Sequence, residues 1–306
     1  MGHSSRRGTK PTLAVLAACA SIAIGMAAAP GPAAGQTDPV IADPVIAAAG
    51  DIACQSTQPT ATTCHHQATS DLLLDPTISR VLALGDEQYP DGALADFQAS
   101  YHPTWGRVLD KTSPVPGNHE YRTTGASGYF DYFGARAGPR DLGYYSFNLG
   151  SWHLIALNSN IAMAEGTPQN NWLEQDLAAD TSVCTLAYLH HPRFSSGGNN
   201  SKVRPLWADL YNDRADVVLA GHKHSYERFA PQTPTGRAST RGIRQFVVGT
   251  GGVELTPLGT PQPNSEVIQS TTFGVLRLTL HATSYDWQFQ PEAGGVFTDV
   301  GSGQCV

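Results

Sequence analysis

The sequence has little charge. Only 15% of its 306 residues are Asp, Glu, Lys or Arg, and 19 basic residues against 26 acidic ones leave a net charge of −7. That balance excludes a protein that coats DNA or an anionic membrane. Beyond the N-terminal segment no apolar run approaches the roughly 20 residues of a membrane helix. Several motifs are missing too: there is no G-x-x-x-x-G-K-[ST] phosphate loop, no G-x-S-x-G elbow and no G-x-G-x-x-G dinucleotide loop. Without a C-x-x-C spacing, neither a zinc ribbon nor a thioredoxin-type site is expected. No internal repeat and no Pro/Ser linker divides the chain, so residues 37–306 are expected to form one domain. The chain is 41% hydrophobic, too apolar for disorder, and long enough to bury a full core. Its 31 Gly and 21 Pro point to a globular fold rich in loops.

The N-terminal segment has the order of a secretory signal peptide, expected over residues 1–36. Arg6, Arg7 and Lys10 precede an Ala-rich apolar stretch from Thr12 to Ala29, and small residues follow from Pro30 to Gln36. Three other readings compete: a single membrane anchor, a twin-arginine signal at Arg6-Arg7, and a lipoprotein box at Leu16-Ala17-Ala18-Cys19 with lipid on Cys19. The many alanines, the cleavage-type residues and the apolar sequence past Cys19 favour a cleaved signal. The mature protein is then exported, with no stable membrane span. Four cysteines remain: Cys54, Cys64, Cys184 and Cys305. An even number in an oxidising compartment suggests two disulfides. Of three possible pairings, Cys54–Cys64 and Cys184–Cys305 are expected.

Short apolar runs alternate with helical patterns. Strands are expected at Pro44–Ala49, Arg80–Leu84, Cys184–Leu189, Asp216–Ala220 and Gln245–Val248. A hairpin is expected around Gly150-Ser151, joining Tyr144–Leu149 to Trp152–Leu157. Helices are expected at Gln67–Leu74, Leu94–Leu109 with an interruption at Pro103, Thr167 to about Ala179 with Pro168 in its first turn, and Lys202–Tyr211. Phe273–Gln290 alternates like antiparallel strands. This pattern predicts a layered α/β sandwich.

The chemistry lies where those strands end. The loops read Gly50-Asp51, Gly85-Asp86-Glu87-Gln88-Tyr89, Gly117-Asn118-His119-Glu120, His190-His191-Pro192 and Gly221-His222-Lys223-His224. Singly, each is weak: an Asp after a strand is commonly a turn or cap residue, and H-x-H is commonly two surface histidines. Jointly they would meet, because strand C-terminal ends line one edge of an α/β sheet. Carboxylate, amide and imidazole donors suit a pair of hard to borderline cations. Two such cations roughly 3.5–4 Å apart activate water and clamp an in-line displacement at phosphorus. One carboxylate must bridge them, and Asp86 occupies the middle of the set.

In these five blocks the sequence resembles the calcineurin-like metallophosphoesterase superfamily, and within it the purple acid phosphatase branch. The D-x-H of many members is absent, since Ala53 stands two residues after Asp51; the tyrosine of the purple branch is present as Tyr89. The resemblance implies a fold of two mixed β-sheets flanked by helices. It implies Asp51, Asp86, Tyr89 and His224 around one metal, and Asp86, Asn118, His190 and His222 around a second. It implies Fe(III) with Fe, Zn or Mn, and in-line attack of a metal-bound hydroxide on a small phosphomonoester. His119 is the candidate general acid, with Glu120 orienting it or capping a turn. Asn118, His191 and Arg193 are candidates for substrate binding; His191 as a structural histidine and Arg193 in a surface salt bridge are the alternatives. A phosphodiesterase or nucleotidase on the same metals is the competing enzyme reading, and a non-catalytic exported phosphate- or metal-binding protein the competing class. No nucleic-acid-binding module is expected. Nor is the N-terminal β-sandwich of plant-type members, since Asp51 follows closely on the signal. Asn199-Asn200-Ser201 matches a glycosylation sequon.

Overall fold

The apolar runs become the central strands of two sheets. The computed structural model describes residues 43–55, 64–257 and 259–306; the expected signal segment and Cys19 lie outside them. The first sheet contains β1 (Val45–Ala49), β2 (Ile78–Ala83), β3 (Thr112–Pro114), β11 (Gly274–Leu280), β12 (Ser284–Pro291) and β13 (Val300–Gln304). Its order is β13-β12-β11-β1-β2-β3. The second contains β4 (Tyr145–Leu149), β5 (Trp152–Ala156), β6 (Cys184–Leu189), β7 (Val217–Ala220), β8 (Tyr226–Phe229), β9 (Arg244–Val248) and β10 (Ser265–Gln269). Its order is β10-β8-β9-β7-β6-β5-β4. Both are mixed: β1-β2-β3 and β5-β6-β7-β9 pair in parallel, and antiparallel strands flank each block.

The parallel strands are buried on both faces, as their near-continuous apolar sequences require. Along β6, Leu186 and Tyr188 join the core between the sheets. Ala187 and Leu189 pack instead in a second cluster with Leu173 and Leu177 of α4 (Pro168–Ala179) and with Leu206, Trp207 and Leu210 of α5 (Arg204–Asn212). Among the described residues the other α-helices are α1 (His66–Leu72), α2 (Leu94–Asp96) and α3 (Ser127–Phe133).

The long helix expected over Leu94–Leu109 is not continuous. After α2 comes a π turn, Phe97–Tyr101, and then a 3₁₀ segment, Trp105–Lys111. Pro103 lies between them, without an amide hydrogen and unable to sit in a helix interior. At the end of the π turn the Tyr101 amide donates to Gln88 Oε1 at 3.2 Å. Strand β13 gave no strand signal because it is Val-Gly-Ser-Gly-Gln. Its glycines are required by the partner strand: a Cβ at Gly301 would lie 2.2 Å from the Trp287 ring, and one at Gly303 2.3 Å from Tyr285. Both expected disulfides are present, Cys54–Cys64 and Cys184–Cys305. The second ties the first residue of β6 to the chain just past β13. Among the described residues no helix is long and apolar enough to cross a membrane.

Candidate metal centre

Five loops leave the C-terminal ends of β1, β2, β3, β6 and β7 and meet at one edge. Their backbone is unusual. Asp51 (φ 59°), Asp86 (φ 50°) and His222 (φ 69°) all hold the left-handed conformation. Non-glycine residues held in that region typically cost about 1–3 kcal/mol each, so neighbours must hold them there. Here the holding is reciprocal between loops. The His222 amide donates to Asp51 Oδ2 at 2.8 Å, and the His119 amide to Asp86 Oδ1 at 2.8 Å. Asp51 N donates to Gly85 O at 3.0 Å and Ile52 N to Asp86 O at 2.9 Å. Gly117 lets the third loop approach: a Cβ there would stand 2.1 Å from both the amide nitrogen and Oδ1 of Asp86.

The side chains converge in two groups around Asp86. The Tyr89 hydroxyl lies 3.0 Å from Asp51 Oδ1, 3.1 Å from Asp86 Oδ2 and 3.0 Å from His224 Nε2. His224 Nε2 is 3.2 Å from Asp51 Oδ1. On the other side, His190 Nε2 is 3.2 Å from Asp86 Oδ2 and 3.2 Å from Asn118 Oδ1. Donor atoms of Asp86, His190 and His222 all fall within 4.8 Å of one another. The structure therefore brings Asp51, Asp86, Tyr89, Asn118, His190, His222 and His224 together. Oδ2 of Asp86 stands between the two groups.

Backbone carbonyls set the histidine tautomers. His190 Nδ1 donates to Leu84 O at 2.8 Å and His224 Nδ1 to Glu254 O at 2.8 Å. Each ring then turns the Nε2 lone pair toward the centre, the arrangement of a metal-ligating histidine. Burial alone would lower both histidines. The adjoining carboxylates, Asp86 for His190 and Asp51 for His224, outweigh it and lift each to about 9. Burial and the neighbouring His190 push His222 down to about 4. Burial, then Asp51 and Asp86, push the Tyr89 phenol well up.

Around it sit the remaining candidates. His119 Nδ1 donates to Pro90 O at 2.6 Å, and its Nε2 lies 3.9 Å from Asp86 Oδ2. His191 packs against His222, ring centroids 4.3 Å apart. Ser159, which the sequence did not single out, accepts the His191 amide at 3.0 Å and meets its Nδ1 at 2.8 Å. Glu120 is fully buried and accepts three backbone amides: Asp86 at 3.0 Å, Gln88 at 3.1 Å and Gly117 at 2.7 Å. It caps the second and third loops at once, rather than bonding His119. Arg193 is engaged elsewhere: its guanidinium donates to Pro234 O at 3.1 Å and lies over the Phe194 ring.

Known proteins resemble the chain in sequence and in fold. Purple acid phosphatase 15 of Arabidopsis thaliana is 31% identical over 177 residues, covering 50% of this chain and 33% of that protein. An uncharacterized protein of Mycobacterium tuberculosis is 29% identical over 201 residues, covering 51% and 38% respectively. The chain thus spans well under two thirds of these relatives' length. In fold, it matches a purple acid phosphatase from yellow lupin seeds with a TM-score of 0.69 at 18% identity, over 85% of this chain and 53% of that one. It also matches GAP50, the anchor in the inner membrane complex of Plasmodium, with a TM-score of 0.63 at 13% identity, over 84% and 88%. The family profile of the calcineurin-like phosphoesterases covers residues 45–226, which include all five loops, and the chain belongs to that family.

Proposed function

We propose that this chain is a secreted phosphomonoesterase working with two metal ions, and that residues 37–306 are its catalytic domain. The observation that carries the reading is Asp86 Oδ2, poised between the Asp51–Tyr89–His224 group and the His190–Asn118 pair with His222 beside it. Asp51, Asp86, Tyr89 and His224 would hold one cation; Asp86, Asn118, His190 and His222 would hold the other. The donor set fits, because buried carboxylates and a phenol face imidazole lone pairs with only protons to neutralise them. When bound, such a pair supplies positive charge to phosphate oxygens and acidifies water. A phenol between two carboxylates would lose its proton to solvent most readily beside a trivalent ion, which favours Fe(III) on the tyrosine side with Fe, Zn or Mn opposite.

The chain's own residues do the rest. His119, its Nδ1 hydrogen on Pro90 O, offers Nε2 to carry a proton to the leaving-group oxygen. Burial lowers its pKa, so it holds that proton best in acidic solution. If the Ser159 hydroxyl hydrogen goes to His191 Nδ1, then His191 presents Nε2–H as a neutral donor for a phosphate oxygen. Asn118 keeps its amide nitrogen for the same task. The two disulfides support an oxidising, extracytoplasmic location. Metal analysis with a visible absorption spectrum, and assays on a monoester, a diester and ATP, test the reading. We expect two metals per chain, a preference for the monoester, and loss of metal and activity together in Asp86→Asn. A protein that binds no metal, or whose Asp86→Asn variant stays active, rules it out.

A further inference from the structure

The H-x-H turn carries Lys223 between two of the proposed metal ligands. Its backbone is pinned. The amide donates to Gly221 O at 2.8 Å, and the carbonyl accepts from Ser225 N at 2.6 Å. Gly249 closes over that carbonyl, where a Cβ would stand 2.1 Å from the oxygen. The side chain, rooted there, lines a cleft of about 270 Å³ with Gly197, His222, His224, Thr256 and Pro257. A Cβ at Gly198 would lie 4.0 Å from Nζ, so the ammonium stands beside the Gly197-Gly198 turn. Among the described residues, the ion pairs of basic side chains other than histidine engage Arg107, Arg140, Arg228, Arg244 and Arg277, and Lys223 has none. In a chain with more acids than bases, a half-buried ammonium left without a carboxylate, in a cleft shared with two ligand histidines, is built to meet an anion from outside.

Resting on the phosphoesterase reading, we propose that Lys223 is a specificity-determining residue that binds a second phosphate group of the substrate. The preferred substrates are then small bisphosphorylated compounds. One phosphate reacts at the metal centre and the other lies in the Lys223 cleft.

The test uses the full metal-loaded chain with a hexose monophosphate and the corresponding bisphosphate, in wild type, Lys223→Gln and Lys223→Arg. A charged hydrogen bond of this kind contributes about 1.5–3 kcal/mol, so the ratio of kcat/KM for bisphosphate over monophosphate should fall at least about tenfold in Lys223→Gln. The loss should appear mainly in KM, and Lys223→Arg should recover most of it. Calorimetric binding of an alkyl phosphonate and its two-ended bisphosphonate gives a readout independent of turnover, and the bisphosphonate alone should lose affinity in Lys223→Gln. Equal losses for both ligands, no change in the ratio, or a wild type without preference for the bisphosphate would overturn the proposal and leave the phosphoesterase reading standing. A metal-loaded wild type inactive on every ester would overturn that reading, and substrate discrimination by Lys223 with it.

Discussion

Protonation and metal coordination compete for the same lone pairs at His190 and His224. Each is lifted to about 9 by its carboxylate neighbour, so at pH 7 both carry a proton in the metal-free chain. A cation must displace those protons. Metal uptake at pH 7 should therefore release protons, and apparent affinity should rise with pH, most steeply below about pH 9 where the two histidines give up theirs. Calorimetry in buffers of different ionisation enthalpy checks this; uptake with no proton exchange at pH 7 would contradict it. His119→Ala should slow alkyl phosphates by about 10²–10⁴ and aryl phosphates much less, because only the poor leaving group needs the proton. Equal losses on both would count against an acid role. Every centre residue was legible as a residue type in a strand-end motif. The carbonyls of Leu84, Glu254 and Pro90 that set the tautomers were not, since any residue supplies a carbonyl and only the fold brings it near. Arg193 shows the converse: its place in the motif suggested phosphate, and packing turned its guanidinium to Pro234 and Phe194.

Between residue and molecule stand the loops, and these depend on glycine and on Glu120. Gly117→Ala would drive a methyl group into the Asp86 carboxylate and, at 2.1 Å, into its backbone nitrogen, which cannot swing aside. We expect a loss of about 1–3 kcal/mol in stability, and a loss of metal affinity greater than any surface Gly→Ala change produces. Chemical denaturation and metal titration measure the two effects. Glu120→Ala would strand three buried amides on adjoining loops and should lower the melting temperature as well. The buried strands were legible because their apolar runs are short, continuous and ended by glycine or polar residues. The Leu94–Lys111 path and β13 were not. A proline break reshapes the first, and the second consists of residues chosen by Trp287 and Tyr285 on the neighbouring strand. Cross-strand requirements of that kind have no local signature.

Across the whole molecule, the two disulfides constrain the chain unequally. Cys184–Cys305 spans 121 residues and Cys54–Cys64 only 10. Loop-closure entropy grows with span, so replacing both Cys184 and Cys305 by Ser should cost about 4–5 kcal/mol, against about 3 kcal/mol or less for the short loop. Denaturant melts of the two double variants make the comparison, and a larger loss from the short loop would refute it. The sequence by itself determined the alternation of strands and helices, the donor types and their order along the chain, because hydrophobic period and turn chemistry are local. It also contained Lys223 without distinguishing it from any surface lysine. Only the tertiary structure decided the contacts that put Asp86 Oδ2 3.1 Å from the Tyr89 hydroxyl and 3.2 Å from His190 Nε2, that Glu120 ties two loops together, and that the Lys223 ammonium lines a cleft beside the centre with no carboxylate partner among the described residues. Most of those relations join residues tens to more than a hundred positions apart, and their distances are set by the parallel register of strands buried on both faces.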